Sequence, residues 1–312
     1  MTTDLMAEKR TAQAATPPRT RRRPRFDPTP YLFLLPSLFG VFAFLLLPVA
    51  IVAVVSLFHW ELLDSPTFIG LDNYRKLAGD GDVGHSLVVT ITYTLLSIPA
   101  QTVLAIALAL LLNQRIRGVR FFRAVYVVPW MATPIALGLV WSWIFDPGNG
   151  ALNKFLGVLG VDGPAWLNDA AFALPAVAAV QIWQYTGYNM LFFLAGLQGI
   201  PGELYDAAST DGASPLQQFF RITLPLLNPT LFFVLVTNVI GSFQVFDTLY
   251  VMTAGGPSQS TEVLNFRIYQ TAFQEFDFGY ASALAMLLFA LILLVTTVQV
   301  RYFNRRTTYD VS

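Results

Sequence analysis

Glu203-Leu-Tyr-Asp-Ala-Ala-Ser-Thr-Asp-Gly-Ala-Ser214, running on to Ile222-Thr-Leu-Pro225, is a polar, turn-bearing stretch between two apolar runs of bilayer-spanning length. Local chemistry predicts two short helices within it. Pro201 can open the first, with Glu203 and Asp206 near its positive end. Asp211-Gly212 makes the turn, because glycine tolerates a positive φ. Ser214 can cap the second helix with Pro215 in its first position, and Pro225 and Pro229 punctuate the return to the membrane. On spacing alone this fits either a surface read by something outside the bilayer or an ordinary amphipathic re-entry loop.

Working outward, the chain reads as an all-α membrane protein with six transmembrane helices, at residues 31–58, 86–112, 121–145, 172–197, 229–252 and 280–303. The loop 198–228 contains the predicted helix pair. Apolar residues make up 55% of the 312 and charged residues only 12%, which is hard to reconcile with a soluble domain. There is no cysteine, so disulfides, thiolate metal sites and cysteine nucleophiles are excluded. Residues 1–30 form a Pro-, Thr- and Arg-rich leader without apolar periodicity, expected to be disordered. Arg21-Arg-Arg-Pro-Arg25 hints at a twin-arginine signal, but the following run is too long for one and reads as a retained span.

Basic residues set the orientation. They gather in the leader, at Arg115, Arg117, Arg120 and Arg123, at Arg221, and at Arg301, Arg305 and Arg306. The opposite loops hold Arg75, Lys76, Lys154 and Arg267 among many acids. Both termini and the 198–228 loop are therefore expected in the cytoplasm.

Polar residues inside the spans are candidates for a solute path, since facing them to lipid is costly. In the fourth span Gln181, Gln184, Tyr185 and Tyr188 share one helix face, with amides and phenols suited to an uncharged sugar. Hydrogen bonding between helices explains that stripe equally well. The fifth span adds Asn238, Ser242, Gln244 and Asp247, the last being either a sugar-hydroxyl acceptor, an outer gate or a helix-end acid. Trp130, Trp141 and Trp143, with Pro129 and Pro134, fit interfacial anchoring or a kink as well as sugar stacking. His59 and His85 have no carboxylate pair or ligand cluster beside them in sequence, which disfavours an embedded enzyme.

Asp206-Ala-Ala, Gly212 six residues after Asp206, and Ile222-Thr-Leu-Pro225 resemble, in order and spacing, the loop by which membrane subunits of bacterial ABC importers dock onto their ATPases. Phe68-Ile-Gly-Leu-Asp-Asn-Tyr74, Tyr126-Val-Val-Pro129, Phe246-Asp-Thr-Leu-Tyr-Val-Met-Thr253, Gly255-Gly-Pro257 and Ser260-Thr-Glu-Val263 extend the likeness to the carbohydrate permeases over 31–309. The finer likeness is to actinobacterial permeases for sugars, amino sugars included. The resemblance implies a type I importer fold with a cytoplasmic coupling helix, and docking by Glu203, Leu204, Tyr205, Asp206, Ala207, Ala208 and Gly212. It also implies a heterodimer with a second permease, two ATPase subunits carrying ATP and Mg, an extracytoplasmic binding protein, a bacterial cell-membrane location and no nucleic-acid partner. The family usually has Glu where this chain has Asp206, which retracts the charge by one methylene.

The chain carries no G-x-x-x-x-G-K-[ST] loop, so ATP hydrolysis is expected in another polypeptide and no cofactor in this one. Gly255-Gly-Pro257 lacks a following lysine and reads as a turn. The rival reading is an ion- or proton-coupled secondary transporter, for which Asp247 is the one intramembrane carboxylate available.

Overall fold

The computed structural model describes residues 29–61, 64–114 and 117–304. The leader through residue 28, Arg115, Arg305 and Arg306 lie outside the described residues. Two compact units divide the chain, Met1–Val49 and Ala50–Ser312. In the first, α1 (Thr29–Val41), with Pro36 inside it, passes into a π-helical turn, Phe42–Leu46. The helix resumes as α2 (Leu47–Val55), which runs on into the second unit.

The second unit begins with a hairpin of β1 (Phe58–His59) and β2 (Thr67–Phe68), antiparallel with Phe58 opposite Phe68. Among the described residues this is the one sheet. Asn73, in α3 (Asp72–Gly79), donates its amide to the Ser56 and Phe58 carbonyls at 2.9 Å each, and the Tyr74 hydroxyl lies 2.7 Å from Ser56 Oγ. The Asn-Tyr pair singled out in the sequence thus ties down the chain leaving α2, satisfying carbonyls left open at a helix end.

Asp80 caps α4 (Gly81–Leu112), accepting from the Asp82 N–H at 3.0 Å. The Arg123 guanidinium donates to the Leu112 carbonyl at the other end, at 2.9 Å. The third expected span, 121–145, is not one rod. It is α5 (Val119–Met131) and α6 (Pro134–Ile144), bent by 96°. Pro134 disfavours helix in the residue before it, and Ala132 and Thr133 are extended, with ψ of 145° and 138°. After α7 (Ala151–Val158), α8 (Ala170–Gln198) starts from Asp169, whose carboxylate accepts from the Ala171 N–H at 2.8 Å, and packs along α4 and α5.

The expected helix pair is present as α9 (Gly202–Thr210) and α10 (Pro215–Gln218), the latter continuing through a π turn, Phe219–Thr223, into α11 (Leu224–Leu226). The fifth span is also broken, contrary to the reading of 229–252 as continuous. Pro215–Leu226 meets α12 (Asn228–Phe243) at 65°, and α12 ends before α13 (Asp247–Thr253). Phe246 leaves helical geometry at φ −147°, and Asp247 opens the new helix, where its charge favours the positive end. Then follow α14 (Leu264–Phe273) and α15 (Phe278–Asn304).

Three apolar clusters hold the second unit. One joins Tyr93, Val177, Leu249 and Phe266, a second Ala105, Met190, Phe193 and Leu227, and a third Ile98, Val239, Leu264 and Leu284. Among the described residues Leu32–Val55, Gly81–Leu112 and Phe278–Asn304 are long and apolar enough to cross a membrane, or up to five spans if each bent pair counts as one. At 29 residues α8 has the length, about 43 Å. Its glutamines and tyrosines dilute its apolar character, and counting it makes six spans compatible with the structure.

At the α4 and α15 starts, Tyr280 donates its hydroxyl to Asp80 at 2.6 Å, while Lys76 lies 3.6 Å from Asp277 and 3.9 Å above the Tyr280 ring. Burial works against ionisation of Asp80, but the Tyr280 hydroxyl, the Asp82 and Val83 N–H groups and the Arg267 field together hold its carboxyl below the ordinary range. Glu262, buried beside Ser86 at 3.5 Å and Arg267 at 3.9 Å, has its carboxyl pushed up by burial, with Arg267 drawing it back.

Two outcomes follow from this packing. At Gly187 a Cβ would overlap the Tyr126 carbonyl, whereas at Gly84 it would meet nothing within 4 Å. Gly187→Ala is expected to cost about 1–3 kcal/mol and lower the Tm by roughly 3–10 °C, with Gly84→Ala neutral or slightly stabilising, in thermal unfolding of the detergent-purified subunit. Because the folded Asp80 pKa is depressed, its contribution is present above the unfolded value of about 4 and is lost as pH falls through the folded one. Asp80→Asn, which keeps the cap, should flatten the loss of Tm on acidification below about pH 4.

Candidate functional site

The α9–α10 pair is a knob closed by its own hydrogen bonds. Gly212 sits at φ +79°, and around it the Gly212 N–H donates to the Ser209 carbonyl at 3.1 Å and the Ala213 N–H to the Ala208 carbonyl at 2.9 Å. This is the paired pattern that terminates a helix through a left-handed glycine. The next helix starts with a capping box. The Gln217 N–H donates to Ser214 Oγ at 3.3 Å and the Ser214 N–H to Gln217 Oε1 at 2.8 Å. Gln218 ties the two helices together, its amide donating to Ser209 Oγ at 3.0 Å and to the Ala213 carbonyl at 3.2 Å.

Of the seven docking candidates, Glu203, Leu204, Asp206, Ala207 and Gly212 are exposed, and Ala208 is half-buried. Tyr205 turns the other way. Its hydroxyl lies 3.0 Å from Oγ1 of Thr223, which is itself buried, so Tyr205 anchors α9 to the π turn. A cavity of about 390 Å³ opens beside the turn, lined by Asp211, Gly212, Gln217 and Arg221 among others. The knob thus presents a carboxylate face around a rigid backbone.

The stripe on α8 is less uniform than its spacing suggests. Gln184 is 2% exposed and donates its amide to the Ala132 carbonyl at 3.3 Å, across the α5–α6 break. Gln181, Tyr185 and Tyr188 are half-buried. The Trp130 and Tyr188 rings are parallel within 8° at a centroid separation of 4.2 Å. Tyr185 and Tyr188 share one face of α8, and Asp247 opens α13, which packs against that helix.

From α12, Ser242 is buried and occupied, its hydroxyl 2.9 Å from Thr94 Oγ1 and donating to the Val239 carbonyl at 3.0 Å. The Asn238 amide nitrogen is buried and has no hydrogen-bond partner. The Gln244 side chain is exposed while its carbonyl accepts from Asn265 at 2.8 Å, and Asp247 is exposed.

Sequence reasoning missed the polar face of α4: Ser86, Thr90, Tyr93, Thr94, Ser97 and Gln101 are all buried. Their spacing of three and four was visible in the apolar run but was hidden by its overall hydropathy. Thr90 is satisfied on both sides, whereas the Tyr93 hydroxyl and Gln101 Oε1 have no hydrogen-bond partner. Thr90 donates to the Ser86 carbonyl at 2.7 Å and accepts from the Leu264 N–H at 2.9 Å, at the start of α14. Thr261, from the motif after α13, closes the Gly255-Gly-Pro257 turn by donating to the Gly256 carbonyl at 2.8 Å.

Known proteins share this chain's family and fold. Residues 78–309 match the family described as binding-protein-dependent transport system inner membrane component. The chain is 36% identical over 276 residues to the trehalose/maltose transport system permease protein MalF of Thermococcus litoralis, covering 87% of this chain and 92% of the relative. It is 32% identical over 299 residues to the sn-glycerol-3-phosphate permease UgpA of Pectobacterium atrosepticum, covering 93% and 100%. A bacterial alginate ABC transporter, crystallised with an alginate pentasaccharide-bound periplasmic protein, shares the fold at a TM-score of 0.77 and 22% identity, over 87% of this chain and 92% of that one. With its bent spans and solvent-facing helical knob, the chain belongs to the inner-membrane components of binding-protein-dependent ABC import systems.

Proposed function

We propose that this chain forms half of the membrane pathway of an ATP-driven importer for an uncharged saccharide. The observation that carries the substrate class is the α8 stripe, where half-buried amide and phenol groups stand beside the stacked Trp130 and Tyr188 rings. Amides and phenols pair with sugar hydroxyls, and ring faces suit the C–H surface of a pyranose. No lysine or arginine occurs among Gln181, Gln184, Tyr185, Tyr188, Asn238, Ser242, Gln244 and Asp247. A phosphorylated or sulfonated cargo would meet the Asp247 carboxylate without a compensating cation from this group. One relative, named for trehalose and maltose transport, favours the same reading, whereas one named for sn-glycerol-3-phosphate does not.

The machinery follows from the knob. Glu203, Leu204, Asp206, Ala207, Ala208 and Gly212 dock into one of two separate ATPase subunits, which hold ATP and Mg, and Tyr205 transmits the push to the π turn behind it. A second, related permease completes the path as a heterodimer, and a binding protein delivers sugar at the far side. Residues 31–309 make up the permease domain with six crossings, and both termini lie in the cytoplasm with the knob. Gentle purification of the tagged chain with mass spectrometry should recover a second permease, an ATPase and a binding lipoprotein. Solute transport by the chain alone would refute the proposal.

A Cβ added at Gly212 would meet nothing within 4 Å, so substitution there acts through φ rather than through a clash. Gly212→Val should cost about 1–3 kcal/mol of local strain and abolish uptake while membrane levels stay normal; preserved uptake counts against docking at this turn. Gln181→Ala should weaken saccharide-stimulated ATPase activity by about 3–30-fold in apparent affinity, without a change in Tm. Gln184→Ala should add a loss of Tm, because it strands the Ala132 carbonyl.

A further inference from the structure

Four rings form a continuous ladder across three helices. Trp130 of α5 stacks on Tyr188 of α8 at 4.2 Å, Tyr188 meets Phe192 edge-on at 5.0 Å and 85°, and Phe192 meets Phe233 of α12 at 5.1 Å and 53°. Phe192 lies on the same face of α8 as Gln181, Gln184, Tyr185 and Tyr188, because steps of three and four residues return to one side of a helix. The stripe therefore changes chemistry along its length, from amides and phenols to bare rings. The ladder has a direction too. Phe192 stands about 9 Å along α8 from its end at Gln198, whereas Gln184 stands about 21 Å away, and Phe233 lies about 8 Å inside the start of α12. It thus descends from the α5–α6 break toward the knob. Its outer members remain open, with Trp130 40% and Phe233 48% exposed.

We infer that Trp130, Phe192 and Phe233 continue the saccharide path beyond the polar stripe, as a ring platform on which the C–H faces of pyranose rings slide toward the knob. The inference rests on the reading of the α8 stripe as the sugar path. Along such a leg few hydrogen bonds hold the sugar, so it can leave: a binding segment of amides followed by an apolar segment gives capture first and release second. Rings in contact across α5, α8 and α12, stacked at one joint and tilted at the other, also keep a continuous surface when those helices tilt, since aromatic contacts tolerate a range of interplanar angles.

The absence of cysteine makes the test direct. Phe192→Cys and Phe233→Cys are introduced singly into the full importer in nanodiscs, with both faces open, and treated with the membrane-impermeant anion 2-sulfonatoethyl methanethiosulfonate. Gln181→Cys serves as the path reference and Leu293→Cys, on the exposed apolar side of α15, as the lipid reference. Modification needs the thiolate and hence water, so both test positions should react within about tenfold of Gln181→Cys and roughly a hundredfold faster than Leu293→Cys. Glucose, N-acetylglucosamine or maltose should slow the reaction, and sorbitol, which has no ring face, should not. Test positions as inert as Leu293→Cys beside a reactive Gln181→Cys overturn the platform and leave the polar path standing. An inert Gln181→Cys sinks the path reading and the platform with it. Reaction without protection by any of the three pyranoses also overturns the sugar contact. Phe233→Cys, at the more open ring, is read independently should Phe192→Cys fail to assemble.

Discussion

How closely α5 can approach α8 is set at Gly187, where the backbone of one helix lies against the Tyr126 carbonyl of the other with no room for a methyl group. That approach brings the end of α5 alongside Gln184, and the Gln184 amide then donates to the Ala132 carbonyl at the 96° bend. In hydrocarbon an opened helix has no water to satisfy its freed backbone groups, so a break survives only where protein supplies the partner. The same proximity lays Trp130 flat on Tyr188. Pro134 makes the bend, and the Gln184 cap and the ring stack on it depend on one absent side chain.

The knob obeys a different constraint, because a protruding helix pair has to close its own helix ends. Its helix ends are closed by the Gly212 termination and the Ser214–Gln217 capping box, and Gln218 bridges the pair. Behind it, Tyr205 bonds to the buried Thr223 within the Ile222-Thr-Leu-Pro225 motif, and the chain turns at the buried Leu227 into α12. The motif is thus a joint between a solvent-facing knob and a membrane helix. Exposed carboxylates on Glu203 and Asp206 leave the outer face of the knob charged and free of internal partners that would hold it in.

Polar residues at membrane depth divide by what already satisfies them. On α4, Thr90, Thr94 and Ser97 are consumed by carbonyls and by neighbouring helices, Thr94 pairing with Ser242. Ser242 therefore packs α12 against α4. Gln181, Tyr185 and Tyr188 on α8 remain half-buried, and Asn238 keeps an unpartnered amide nitrogen. Unspent hydrogen-bonding capacity can take up a further partner, whereas spent capacity only holds helices together.

Local chemistry alone determined the helical character, the turn at Gly212, the cap at Ser214 and the apolar runs, because each depends on residues within one or two turns of one another. The breaks at Thr133 and Phe246 were half legible: Pro134 marked the first, but nothing nearby marked the second, and Asp247, read near the outer end of a span, opens a new helix. Which polar residues are spent and which are free could not be read from the chain, since Gln184 finds Ala132, Ser242 finds Thr94 and Tyr205 finds Thr223 only after distant segments pack. Spacing assigns a side chain to a helix face; only the tertiary contact decides whether that face meets a carbonyl, another ring or water.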